Sequence, residues 1–290
     1  MDLNYSDGIA AARTMIAFEA NLAALQRRLP SGWELAPYAG DDLRGSSLRG
    51  AHMLVPFHEV HAVRARDGHV SGFPQLSYVA FISQARNRAT GALGHLHWFS
   101  YTEDPEGVPG KYRDAKLADI TRSQTFTKAR RGETEVRETF SAVAESGEIH
   151  LSLAYRQGGM LIWAIAAEPN LPLYSANDPS IIRVYQEDQV MNVVRSVPLK
   201  VDGVSEIDLR VRGELEDVFD GRQRVVGVVI QRPYMRQVTS LDGRRKVQAN
   251  DGRDVMPDLG GPVSLPPQVP CHALRRPAVL AAGRLDALDV

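Results

Sequence analysis

Period-two alternation governs this sequence. In residues 148–156, EIHLSLAYR, the side chains of Ile149, Leu151, Leu153 and Tyr155 fall on one side, and Glu148, His150, Ser152 and Ala154 on the other. Successive side chains of a strand point to opposite faces, so the pattern predicts a half-buried strand of an antiparallel sheet. Runs of the same β-like character recur at 52–63, 78–83, 93–101, 121–128, 134–144, 160–166, 181–185, 207–211 and 224–230. Between them stand turn signals: Asp67-Gly68, Ser146-Gly147, Gly158-Gly159, Asp202-Gly203 and Asp220-Gly221.

Helical spacing is rare. Leu22, Leu25 and Leu29 recur at that period in 19–29, EANLAALQRRL, and Pro30 stops the pattern, which predicts a short helix. Residues 14–18 read either as a strand or as that helix's first turn. Many strands, hairpin-like turns and few helices predict an α+β, β-dominant fold: a large antiparallel β-barrel or sandwich with a few short helices. Closing such a sheet also removes exposed edges. Nothing divides residues 1–253, which are expected to form one domain. Residues 254–290 differ: Pro257, Pro262, Pro266, Pro267, Pro270 and Pro277 punctuate them, and the expectation is a poorly ordered tail.

Charge and composition exclude several functions. The formal net charge is −1, and the basic pairs Arg27-Arg28, Arg130-Arg131 and Arg244-Arg245 are scattered, so no nucleic-acid partner is expected. No apolar run approaches the ~20 residues that span a bilayer, and no membrane partner is expected. The single cysteine, Cys271, permits no internal disulfide and lies in the Pro-rich part. The first residues lack a basic start followed by an apolar core, which makes a cytoplasmic location the expectation. No Gly-x-Ser-x-Gly elbow, phosphate-binding glycine loop or dinucleotide fingerprint occurs, so no cofactor is expected. A homo-oligomer remains open.

Chemistry concentrates in residues 96–120, LHWFSYTEDPEGVPGKYRDAKLADI. Lys111, Arg113 and Lys116 follow an apolar strand-like run, with Trp98, Tyr101 and Tyr112 as apolar walls. A nucleophilic lysine needs its amine neutral, through desolvation or a neighbouring cation. Glu103, Asp104, Glu106 and Asp114 oppose that by favouring the ammonium. On spacing alone, the segment reads as a charged surface loop between two strands.

The segment resembles the active-site stretch of the acetoacetate decarboxylase family, in which a lysine pair stands in a Pro-Lys-Lys-Leu-Ala-like motif. The matching residues here are Asp114-Ala115-Lys116-Leu117-Ala118. MIAFEANLAALQRRLPSGWEL, Phe57-His58-Glu59, PLYSANDPSIIRVYQEDQ, LEDVFDG and RPYMRQV resemble further family segments in the same order, over roughly residues 15–238. The resemblance implies a barrel that takes a small organic acid, a keto acid by class, and carbon–carbon lyase chemistry through a lysine Schiff base. Position 115, where the family carries its nucleophile, is alanine, and Lys116 matches the second lysine. The implied roles are therefore Lys116 as catalytic residue, with Lys111, Tyr112 and Arg113 binding the substrate. The alternative is a non-catalytic binding protein of the same fold.

A third reading rests on histidines. His95 and His97 share a strand face, and Glu103 follows, a pattern that resembles the first metal motif of cupins and suits a divalent transition metal. The spacing to Glu103 is one residue too long, and no second motif follows. His58 and His61, three apart, face opposite sides of a strand.

Overall fold

Asn21 starts the only helix among the described residues. Its side-chain oxygen accepts a hydrogen bond from Ala24 N at 3.2 Å, which caps α1 (Leu22–Arg28) and places Ala24 and Leu25 in the core. The structure, a computed structural model, describes residues 6–38, 50–64, 70–71, 76–105, 108, 114–128, 134–157, 162–165, 172–195, 203–221 and 223–240, all within Met1–Val247. The expected tail at 254–290 lies outside the described residues.

The rest is strand: β1 (Ser6–Glu19), β2 (Trp33–Leu35), β3 (Met53–Arg64), β4 (Val70–Ser71), β5 (Leu76–Asn87), β6 (Leu93–Thr102), β7 (Ala115–Leu117), β8 (Asp119–Lys128), β9 (Thr134–Ala144), β10 (Gly147–Gln157), β11 (Ile162–Ile165), β12 (Leu173–Ser175), β13 (Ile182–Arg195), β14 (Gly203–Gly213) and β15 (Arg224–Ser240). Residues 14–18 thus belong to a strand. No described helix is long and apolar enough to cross a membrane.

Two sheets form. The smaller is antiparallel, in the order β14-β10-β9-β8. The larger runs β2-β5-β3-β1-β15-β13-β12-β6-β7, with β4 on β3 and β11 on β13. Because β5 also pairs β6, following hydrogen-bonded neighbours from β5 through β3, β1, β15, β13, β12 and β6 leads back to β5. Most pairings are antiparallel as expected. Two short ones are parallel: β12 and β7 both add to one edge of β6.

The alternation of β10 places Ile149, Leu151, Leu153 and Tyr155 in the main core. They meet Ile16, Phe18, Val55, Phe57, Val79, Phe81, Phe99 and Tyr101 from the facing side of the larger sheet. Phe57 and Phe140 stack edge to face across this interface at 4.9 Å. One polar cluster interrupts it. Glu138 is wholly buried, accepts from Arg122 Nε and Nη2 at 3.0 and 2.7 Å, and accepts from Thr14 Oγ1 at 2.8 Å.

Candidate functional site

The opposite face of the larger sheet is the chemically unusual one. Directly paired residues share a face, so Arg13 on β1, His58 on β3 and Tyr78 on β5 stand in one row. The His58 and Tyr78 rings stack at 4.2 Å. A second row holds Arg183, Leu173, His95 and Gln84, and a third holds Ser175, His97 and Ile82. Arg13, His58, Gln84, His97, Ser100, Thr102, Ser175 and Arg183 are all buried. These side chains are enclosed within the protein, although the smaller sheet packs on the other side.

A bulge in β6 assembles the centre of this face. Phe99 opposes Phe81 while His97 opposes Ile82, so Trp98 is an extra residue and the face parity flips there. His97 and Ser100, three apart, then point the same way, and His97 Nε2 lies 2.7 Å from Ser100 Oγ. Asp114, just before β7, accepts from Ser175 Oγ at 2.6 Å and from Asn177 Nδ2 at 2.9 Å. Burial lowers His97 to about 4, with Asp114 pulling the other way, so its imidazole is neutral at neutral pH. The result is a buried neutral imidazole and hydroxyls beside a half-buried, hydrogen-bonded carboxylate, on a face that also carries two guanidinium groups.

Strand parity separates the two residues of the lysine motif. Ala115 is in register with Ser100, on the enclosed face, and packs against the apolar cluster to which Tyr78 and Leu173 belong. Lys116 is in register with Tyr101, on the face toward the smaller sheet. Its Nζ pairs with the Glu214 carboxylate and sits 4.6 Å over the Phe99 ring. Lys111, Tyr112 and Arg113 lie outside the described residues. Lys116 and Lys128 are the described lysines, and Lys128 is exposed on β8.

The structure does not bring His95, His97 and Glu103 together. Tyr38 Oη hydrogen-bonds His95 Nε2, His97 bonds Ser100, and Glu103 Oε2 accepts from Ser77 N at 2.9 Å. Glu103 follows the end of β6, in an exposed bend, whereas His97 is buried within the strand. No group of three metal-ligating residues occurs among the described residues. His58 is buried and His61 exposed, as their separation on a strand requires.

Sequence reasoning missed Arg13, Arg183, Ser100, Asp114 and Ser175 as site residues. Arg13 left a signal: a lone arginine inside the apolar run IAAARTMIAF.

By sequence, no protein-family model and no curated protein matches the chain. By structure, it is similar to the enduracididine biosynthesis enzyme MppR, complexed with the condensation product of pyruvate and imidazole 4-carboxaldehyde. That likeness has TM-score 0.50 and 12% identity, over 81% of this chain and 87% of that one. An acetoacetate decarboxylase-like enzyme from Sphingomonas wittichii RW1 aligns with TM-score 0.48 and 12% identity, over 82% and 93%. Acetoacetate decarboxylase from Legionella pneumophila aligns with TM-score 0.47 and 12% identity, over 82% and 87%. The chain has the acetoacetate-decarboxylase-like fold, in a divergent sequence.

Proposed function

We propose that this chain binds a small organic acid, a keto acid by class, without covalent attachment, on the enclosed polar face of its larger sheet. The asymmetry between that sheet's two faces carries the reading. The face toward the smaller sheet is packed with aliphatic and aromatic groups, as burial favours. The enclosed face instead buries Arg13, Arg183, His58, His97, Ser100 and Ser175. Burying such groups is costly unless hydrogen bonds or a ligand compensate. Guanidinium groups suit a carboxylate, and the hydroxyls and neutral imidazole suit a keto oxygen.

Covalent lyase chemistry through Lys116 is the competing reading, implied by the resemblance. An iminium needs the amine to reach the acid, whereas Lys116 projects from the other face onto Glu214. One experiment decides between them. The full chain is titrated calorimetrically with pyruvate and acetoacetate, then treated with cyanoborohydride and mass-analysed. The expected result is binding without an adduct, weakened about tenfold or more by Arg13→Met or Arg183→Met. Ser100→Ala serves as a milder variant. A reduced adduct on Lys116 overturns the non-covalent reading, and absence of binding overturns both.

A further inference from the structure

Behind β7, on the side away from the enclosed face, a second set of polar groups gathers around Lys116. Tyr101 is its register partner on β6. The Tyr101 ring is buried, and a Cβ added at Gly147 would lie 2.8 Å from Tyr101 Oη. That places the phenol against the Gly147–Gly213 pair, one residue before Glu214. Tyr101 Oη and Ser146 Oγ are buried beside one another, and their contact with each other is the one polar contact shown for either among the described residues. Burial holds the phenol above its usual range, with Ser146 opposing and the Glu214 carboxylate adding to the rise.

Two buried hydroxyls with only each other as partners, on the strand face that carries the Lys116 ammonium, offer donors to an anion, because such groups are costly to leave under-satisfied. A carboxylate already sits on the ammonium, and it is tethered. Glu214 opens the turn that follows β14, its side chain is 46% exposed, and Gly213 before it holds φ +89, a conformation that glycine adopts readily. The carboxylate can leave Lys116 for water without disturbing either sheet.

We propose that Lys116 Nζ, Tyr101 Oη and Ser146 Oγ form a binding site for a small carboxylate, which Glu214 occupies as a tethered competitor. The site is distinct from the enclosed polar face, since strand parity puts Lys116 and Ala115 on opposite sides of β7. A hydroxy or keto acid fits it best: its carboxylate replaces that of Glu214 on Lys116, and its second oxygen meets the two hydroxyls. Phe99 walls the ammonium on one side.

The test is an NMR titration of the full chain with sodium glycolate at fixed ionic strength, followed at the Tyr101 ring signal. Glu214→Gln removes the competitor, and glycolate should bind about fivefold more tightly than to the unaltered chain. Tyr101 itself cannot be altered when its signal is the probe, so Ser146→Ala reports the hydroxyl contribution and should weaken binding about fivefold. Lys116→Met should abolish the titration, and Lys116→Arg should retain it, which separates charge from folding. A Glu214→Gln affinity no tighter than that of the unaltered chain overturns the proposal, as does an unchanged curve in Lys116→Met. The Lys116 dependence of the curve assigns it to this site, so failure of acid binding on the enclosed face leaves the curve standing.

Discussion

Arg122 holds the wholly buried carboxylate of Glu138 through both Nε and Nη2, at 3.0 and 2.7 Å. Thr14 Oγ1 donates to the same carboxylate from the larger sheet, so this one group ties the two sheets together. Glu59 stands 3.5 Å from Arg122 Nη1 and gives the guanidinium a second acidic neighbour. Removing one partner of such a pair strands a buried charge, which costs about 3–5 kcal/mol. Arg122→Met is therefore expected to lower stability by that amount in guanidinium denaturation. Arg122→Met with Glu138→Leu should recover most of the loss. A double variant as unstable as the single one would show that the cost comes from packing and not from the stranded carboxylate.

Much of the fold was legible in residue pattern. The alternation of 148–156 and the leucine spacing before Pro30 each correspond to an observed element, because a strand or helix face is set by local periodicity. The pairing partners were not legible, since β12 and β7 reach β6 only through the tertiary fold. The site was half legible for a specific reason. Reading 96–120 as a motif finds Ala115 and Lys116, yet the Trp98 bulge and the parity of β7 decide which faces they see. A single inserted residue in β6 puts Ser100 on the same side as His97, and no composition or spacing rule announces it.

Gly147 gives a sharper stability prediction. A Cβ there would lie 2.3 Å from Arg212 O and 2.8 Å from Tyr101 Oη. The first contact is with backbone, so β10 or β14 must move to relieve it. Gly147→Ala is expected to cost about 2–4 kcal/mol. Gly32→Ala is the control: Gly32 has φ +83 but open space around its missing Cβ, so only the backbone term of about 1 kcal/mol applies. Thermal unfolding of both variants checks the difference, and equal losses would argue against the clash.

Acid should destabilise the chain through His97. Its folded-state value is about 4, while an unfolded histidine titrates near 6.5. Between those limits the unfolded chain binds more protons, so stability falls as pH drops from about 6.5 to 4 and is complete above 6.5. The loss reaches about 3 kcal/mol at the lower limit. His52, lowered by burial with Glu19 opposing, acts in the same direction. Denaturation midpoints for the unaltered chain and His97→Gln, taken from pH 7 to 4, measure the slope. The variant's curve should be flatter, and parallel curves would mean that the buried imidazole does not control acid sensitivity.

The opposite orientations of Ala115 and Lys116 predict a gain of chemistry. Ala115 is in register with Ser100 and, partly buried, packs against the apolar cluster that holds Tyr78 and Leu173, where desolvation favours a neutral amine over an ammonium. Ala115→Lys would direct an amine toward the neutral His97 imidazole and the face that buries Arg13 and Arg183. In the presence of pyruvate and cyanoborohydride, this variant should acquire one reduced pyruvate per chain, mapped to position 115 by peptide mass spectrometry. The unaltered chain should acquire none, and adding Lys116→Met should leave the adduct in place, because Lys116 faces the smaller sheet. Asp114 is the nearest opposing charge; its hydrogen bonds from Ser175 and Asn177 already engage both of its oxygens. Adding Asp114→Asn should therefore keep the amine neutral to a higher degree and speed trapping. Trapping at position 116, in either the variant or the unaltered chain, would reverse the assignment of the two faces of β7 and with it the case for non-covalent binding.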